Sequence, residues 1–252
     1  NNLFSLDMNF RLFGIIGNDI EGNLIKSLAQ NFNYFFLEDE HSTTLKERFI
    51  SETFMQQILR ADRETHRNLN NKQIEKILYE MNMQNPEYII LSDYNKGFLN
   101  KSLVSKIMKF DSKILVDPKP KNIELFYEAF LIKTNLKEAG QIYGEDILNN
   151  DSTIEKIGIK LARKYKTNFI ITRGHLGSTL ITNQGNVKHI TQEEIKVFDV
   201  TGAGDTYIAA LSYALCELDK TIEDAIHIAQ DAAKIVVQKP GTSTIFRSEL
   251  NL

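Results

Sequence analysis

Short, mostly apolar runs alternate with amphipathic stretches along the last two thirds of the chain. This alternation constrains the fold more than any other feature of the sequence. Tyr88–Leu91, Ile114–Val116, Phe130–Lys133 and Phe169–Thr172 read as strands that are continuously apolar, the pattern of strands covered on both faces. Helical spacing in Lys101–Phe110, around Ile123–Tyr127, in Lys137–Tyr143 and in Ile154–Lys164 separates them. Strands joined in turn by helices over short connections imply an α/β fold with a mainly parallel central sheet between two helical layers. Ser178–Thr182 and Asn186–Ile190 read as a hairpin turned at Asn183–Gly185. Two long helices, Ala203–Leu218 and Ile222–Val237, close the chain.

The first third is less regular. Arg11–Ile16 reads as a strand, Glu21–Asn31 as a helix, and Asn33–Leu37 and Arg48–Leu59 as strands. Lys72–Gln84 places Ile74, Ile77, Leu78 and Met81 on one helical face. The opening residues, Asn1 to Gly14, read as the end of a helix followed by a strand, so the chain is expected to begin inside a domain.

Composition excludes several classes of function. A 252-residue chain that is 42% hydrophobic can bury one α/β core. A net charge of -3 with dispersed Lys and Arg argues against a basic nucleic-acid face. Cys216 is the only cysteine, which excludes a disulfide framework and suits a reducing compartment. No apolar run approaches the ~20 residues that span a bilayer. A cytoplasmic protein with no nucleic-acid or membrane partner is expected. The five histidines show no metal-ligand spacing and are expected at the surface.

In parallel α/β sheets, ligands bind beyond the carboxyl ends of the strands. Asp93 and Lys96 follow the first of the four strands, Asp117 and Lys119 the second, Asn135 and Glu138 the third, and Arg173 and Gly174 the fourth. The strongest local signal is Asp199-Val200-Thr201-Gly202-Ala203-Gly204-Asp205 at the start of a helix. Gly202, Ala203 and Gly204 leave backbone N–H groups uncovered at the positive end of a helix dipole, which makes an anion hole. That is what a migrating phosphoryl group requires. Asp205, in the first turn, can accept the proton of an attacking hydroxyl. The bland alternative is a tight turn with an acidic helix start.

This segment resembles the signature of the ribokinase-like (PfkB) carbohydrate kinases. The resemblance implies a ribokinase-like three-layer fold, with Asp205 as base and Gly202, Ala203 and Gly204 as anion hole. Asn135-Leu136-Lys137-Glu138 resembles the family motif that organises ATP and Mg²⁺, with Glu138 nearest the metal. Those residues also suit a helix capping box. Arg173, Gly174 and Gly177 resemble a nucleotide-phosphate turn, and Thr242, in Lys239–Thr244, a loop beside the nucleotide. Leu91–Gly97, Val116–Lys119 and Lys239–Thr244 resemble the D-glycero-β-D-manno-heptose-7-phosphate kinase domains of that family.

The implied reaction is ATP-dependent phosphorylation of heptose 7-phosphate at O1, in supply of ADP-heptose for lipopolysaccharide core. Asp93, Lys96, Asp117, Lys119, Lys46 and Arg48 are then candidates for holding a small-molecule phosphosugar. The family's opening strand and lid elements precede the region matching Asn1 and are expected to be missing, so residues 1–252 read as an amino-terminally shortened kinase domain. No adenylyltransferase domain, to which such kinases are often fused, is expected within these residues. A full-length protein is expected to be a homodimer. Two other functions are carried forward: a different PfkB-family sugar or phosphosugar kinase, and a shortened, non-catalytic nucleotide-binding fragment.

Overall fold

The computed structural model describes residues 1–51, 57–239, 241–250 and 252. A short helix α1 (Asn2–Ser5) leads to β1 (Arg11–Gly17), α2 (Ile20–Leu28), β2 (Asn33–Asp39), β3 (Leu45–Ile50), β4 (Gln57–Arg63) and α3 (Asn71–Asn82). Regular alternation follows: β5 (Tyr88–Ser92), α4 (Lys101–Ile107), β6 (Lys113–Asp117), a 3₁₀ segment over Pro120–Phe126, β7 (Leu131–Asn135) and α5 (Leu136–Tyr143). The chain ends with α6 (Asp151–Tyr165), β8 (Asn168–Thr172), the hairpin β9 (Ser178–Ile181) and β10 (Val187–Ile190), α7 (Ala203–Cys216) and α8 (Ile222–Val237).

Local chemistry explains the boundaries. Asn70 and Gln73 form a capping box at the start of α3, and Asn135 and Glu138 form one at α5. Asp19, Asn150 and Thr221 accept from backbone N–H groups at the starts of α2, α6 and α8. Gly144 ends α5 in the left-handed region, at φ +96. Helix α2 stops at Leu28 instead of Asn31, because Phe32 N–H turns back to the Ala29 carbonyl. The expected strand over Arg48–Leu59 is two antiparallel strands, β3 and β4; its residues 52–56 lie outside the described residues.

The chain divides into two units. The first comprises Asn1–Asn9, Pro86–Tyr94 and Val104–Leu252. Its six-stranded sheet has the order β10-β9-β8-β7-β6-β5. Strands β5 to β8 run parallel, and β9 and β10 complete the sheet antiparallel. Helices α7 and α8 cover one face, where Leu115, Leu131, Ile170 and Leu180 meet Leu211, Leu215, Ile226 and Ala229. On the other face α6 packs so closely that a Cβ on Gly158 would stand 2.7 Å from the Ile181 side chain. Burying each such aliphatic side chain contributes about 1.5–3 kcal/mol. Helix α7 is buried over Thr206–Leu215, all round rather than along one stripe.

The second unit comprises Phe10–Asn85 and Asn95–Leu103. It holds a parallel pair, β1–β2, and an antiparallel pair, β3–β4. The early strands therefore form small sheets of their own. Their residues are mostly half-buried or exposed, unlike the continuously buried β6–β9. Ile74, Ile77 and Met81 form the buried face of α3, and Leu78 is only half-buried.

Candidate active site

Strand register builds the site in the first unit. Leu115 pairs with Leu131 and Val116 with Ile132, so Asp117 and Lys133 lie side by side at the ends of β6 and β7. Side chains alternate along a strand. Asp117 and Lys133 therefore share the face of Leu115 and Leu131, the face that α7 covers. Lys133 Nζ donates to Asp117 Oδ2 at 3.0 Å, and only 5% of the Lys133 side chain is exposed.

Helix α7 arrives on this pair with its N-terminus. Gly202 sits in the left-handed region at φ +82, and no side chain caps the helix. Each of α2, α3, α5, α6 and α8 has a capping side chain; the first-turn N–H groups of α7 have none. A Cβ on Gly204 would stand 3.0 Å from Lys133 Nζ, so the ammonium lies directly against this turn. The Gly204 amide, the helix dipole and a buried cation act together on one spot, while the Ala203 N–H donates to the Val200 carbonyl at 3.2 Å. Asp205 is exposed beside it, and its Oδ1 accepts from the Tyr94 hydroxyl at 2.9 Å.

A cavity of about 210 Å³ opens at this turn. Lys133, Ala203 and Gly204 line one part of it, and Ile195, Val197, Val200, Tyr207, Ala233 and Val237 supply apolar walls. Gly174 and Gly177 contribute backbone. Only glycine fits at position 177, since a Cβ there would stand 2.1 Å from the Ile190 carbonyl oxygen at φ +85. A cavity with a cationic, amide-lined end and apolar walls suits a nucleotide, whose phosphates and base differ in the same way.

The electrostatics are concentrated at the same end. Burial pushes the Asp117 carboxyl above its ordinary value. Lys133 opposes that shift, while Glu138 and Asp205 add to it. Burial, then the charge of Asp205, push the Tyr94 phenol up to about 12. Three carboxylates thus share one field. Among the described residues no three His, Cys, Asp or Glu side chains form a metal cage. A Mg²⁺ ion that keeps its waters and bridges to phosphate oxygens needs only one or two carboxylates. Glu138, the carboxylate expected nearest the metal, has both oxygens engaged: Oε2 accepts from Asn135 N–H at the start of α5, and Oε1 lies 3.4 Å from Lys119 Nζ.

The remaining candidates are distributed as follows. Asn135 and Glu138 form the capping box, with Leu136 and Lys137 in the turn between them. Asp93 is buried, and its Oδ2 accepts from Lys119 N–H and from Asn122. Arg173 is not brought to the cavity. It is 5% exposed and donates to Asn149, Asp151 and Thr179, away from the cavity lining. Thr242 is exposed and does not line the cavity; Pro240, two residues before it, lies outside the described residues. In the second unit, Lys46 and Lys96 both pair with Glu64, and Arg48 lies opposite Arg60 on the exposed β3–β4 pair. His189, expected at the surface, is half-buried between Thr179 and Glu155.

Two site residues escaped the sequence reading. Lys133 counted only as the end of a strand, although a lysine inside a run buried on both faces is itself a signal. Tyr94 stood in a quoted stretch without a role. Among the described residues no helix is long and apolar enough to cross a membrane.

A family model described as pfkB family carbohydrate kinase matches residues 3–249. The chain is 35% identical over 257 residues to the bifunctional protein HldE of Actinobacillus succinogenes, covering 99% of this chain and 52% of that protein. It therefore spans about half the length of the curated relatives it matches. Phosphofructokinase-2 from Escherichia coli, solved in complex with potassium, superposes with a TM-score of 0.82 at 16% identity, covering 98% of this chain and 82% of that one. Ribokinase from Giardia lamblia superposes with a TM-score of 0.78 at 17% identity, covering 98% and 84%. These likenesses show a ribokinase-like fold.

Proposed function

The chain belongs to the pfkB family of carbohydrate kinases, and from that premise we propose that it phosphorylates D-glycero-β-D-manno-heptose 7-phosphate at O1 with ATP. The heptose reading is supported by identity of about a third, along nearly the whole chain, to proteins named HldE. Its product would feed ADP-heptose supply for lipopolysaccharide core. One observation carries the chemistry: the uncapped start of α7 meets the buried Lys133 ammonium at a cavity, with the Asp205 carboxylate exposed beside them.

In this reading the Gly202 and Gly204 amides and Lys133 hold the phosphate oxygens of ATP, the Ala203 N–H being engaged by the Val200 carbonyl, and the apolar walls take the base. Asp205 accepts the proton of the acceptor hydroxyl as its oxygen bonds to the γ-phosphorus. The bond from that phosphorus to the departing ADP oxygen breaks. The amides and the ammonium are fixed before charge develops, so they stabilise it without reorganising. Mg²⁺, when bound near Glu138, neutralises charge on the phosphates. Asp93, Asp117 and Lys119 are proposed for the sugar. Lys46 and Arg48 are proposed for its phosphate, which calls for cationic donors, and Lys96 for the sugar or its phosphate.

The test is phosphoryl transfer from ATP across a panel of sugars and sugar phosphates. Heptose 7-phosphate is expected to be turned over best, with loss of ~10³-fold or more in Asp205→Asn while ATP still binds. Turnover of another sugar with none of heptose 7-phosphate would reassign the substrate. Nucleotide binding without transfer to any sugar would leave a binding fragment only.

A further inference from the structure

The Tyr94 hydroxyl donates to Asp205 Oδ1 at 2.9 Å. An acceptor sugar must make the same contact, an O–H donor on that carboxylate, before its proton can leave. Tyr94 is 52% exposed and lies two residues past the end of β5. Its hydroxyl is held by Asp205 and Ser92. A base one residue from the cavity-lining Gly204, and itself exposed, has an unwanted partner in water. Water oxygen would bond to the γ-phosphorus, the bond to ADP would break, and the water proton would pass to Asp205. The protein needs something on that carboxylate when no sugar is there.

We propose that Tyr94 is a stand-in for the acceptor: its phenol occupies Asp205 until a sugar hydroxyl displaces it, which suppresses hydrolysis of ATP by water. The inference rests on Asp205 as the base of the reaction proposed above. The charged and titratable groups around this contact agree with it. Asp205 and Asp117 both act on the phenol and favour its protonated form. A phenol that holds its proton is a donor to the carboxylate, as an acceptor hydroxyl would be. Lys133, on the other side of the turn, is engaged with Asp117 and leaves the contact to the two side chains.

The experiment follows ADP release and sugar phosphorylation separately, in the whole chain with ATP, Mg²⁺ and heptose 7-phosphate. Tyr94→Phe removes only the hydroxyl. It is expected to raise sugar-free ADP release ~3–10-fold, the net worth of one ordinary hydrogen bond. The KM for sugar is expected to fall, because a competitor for Asp205 is gone. The KM for ATP is expected to stay within about a factor of two. Tyr94→Gln, which restores a donor, is expected to lower sugar-free release again.

Sugar-free release that is unchanged or lower in Tyr94→Phe, while the wild type transfers normally, overturns the proposal. So does a parallel loss of both rates with a lowered melting temperature, which marks a structural role. The added hydrolysis must also vanish when Asp205→Asn is combined with Tyr94→Phe; its persistence overturns the proposal. A wild type that phosphorylates no sugar defeats the parent reading, and that arm reports separately from the variants.

Discussion

Lys133 Nζ stands 3.0 Å from Asp117 Oδ2, on neighbouring parallel strands and directly under the first turn of α7. The pair is largely buried, with 5% and 16% of the two side chains exposed. Lys133→Met therefore acts twice. Loss of the cation at the amide-lined end is expected to lower kcat/KM for ATP by ~10²-fold. Asp117 is left buried without its partner, at a cost of about 3 kcal/mol. Burial already raises the Asp117 carboxyl and Lys133 holds it down, so the variant raises it further. The penalty then applies to the charged form and is relieved as pH falls through the raised value. Melting temperatures across pH test this: the deficit against wild type should narrow in acid. Adding Asp117→Asn should recover stability without activity.

Gly202 and Gly204 should respond differently to a methyl group. Gly202 has φ +82 with nothing within 4 Å of the added Cβ, so Gly202→Ala meets only backbone strain, about 1 kcal/mol. Gly204 lies within the helix, and its Cβ would meet Lys133 Nζ at 3.0 Å. A lysine end can shift a few tenths of an ångström, and alanine favours helix. Gly204→Ala should keep the melting temperature and lose ~10-fold in turnover, because the ammonium moves off the amides. Thermal melts beside steady-state rates separate the two outcomes.

The sequence made the parallel sheet legible, since β5 to β8 are apolar runs set off by caps such as Asn135 and Asn150. The uncapped start of α7 was legible for the same local reason: two glycines and an alanine there offer no capping side chain. What needed the fold was long-range register. The Asp117–Lys133 pair exists because β6 and β7 align at Leu115 and Leu131, and no local pattern states that alignment. Direction was also illegible. Arg173 follows β8 as a ligand residue would, yet Asn149 and Asp151, from before and within α6, capture its guanidinium. The early strands misled differently, since β1–β2 and β3–β4 pair among themselves.

Arg173 gives a prediction from that capture. Its guanidinium is buried, bonds Asp151 at 2.7 Å and Thr179 at 3.3 Å, and lies 3.2 Å from His189 Nδ1. Arg173→Ala should cost about 2–3 kcal/mol through the buried donors' lost partners and lost packing. The KM for ATP should change less than about threefold. A large KM effect at preserved stability would return Arg173 to the nucleotide.

Glu64 is held by Lys46 at 2.7 Å and by Lys96, and the two hydrogen bonds bring its carboxyl down to about 2 from an ordinary value of 4.5. A depressed carboxylate contributes stability that is fully present above its unfolded value and lost as pH falls through the folded one. Wild type should thus exceed Glu64→Gln in stability at neutral pH, and the difference should close between about pH 4.5 and 2. The gap should also shrink in high salt, because these side chains are partly exposed. The same substitution frees two ammonium groups from their counter-charge. Inorganic phosphate should therefore protect Glu64→Gln from thermal unfolding more than it protects wild type. Equal protection would argue against Lys46 and Lys96 as phosphate ligands, since a site relieved of its own carboxylate must gain affinity for an anion.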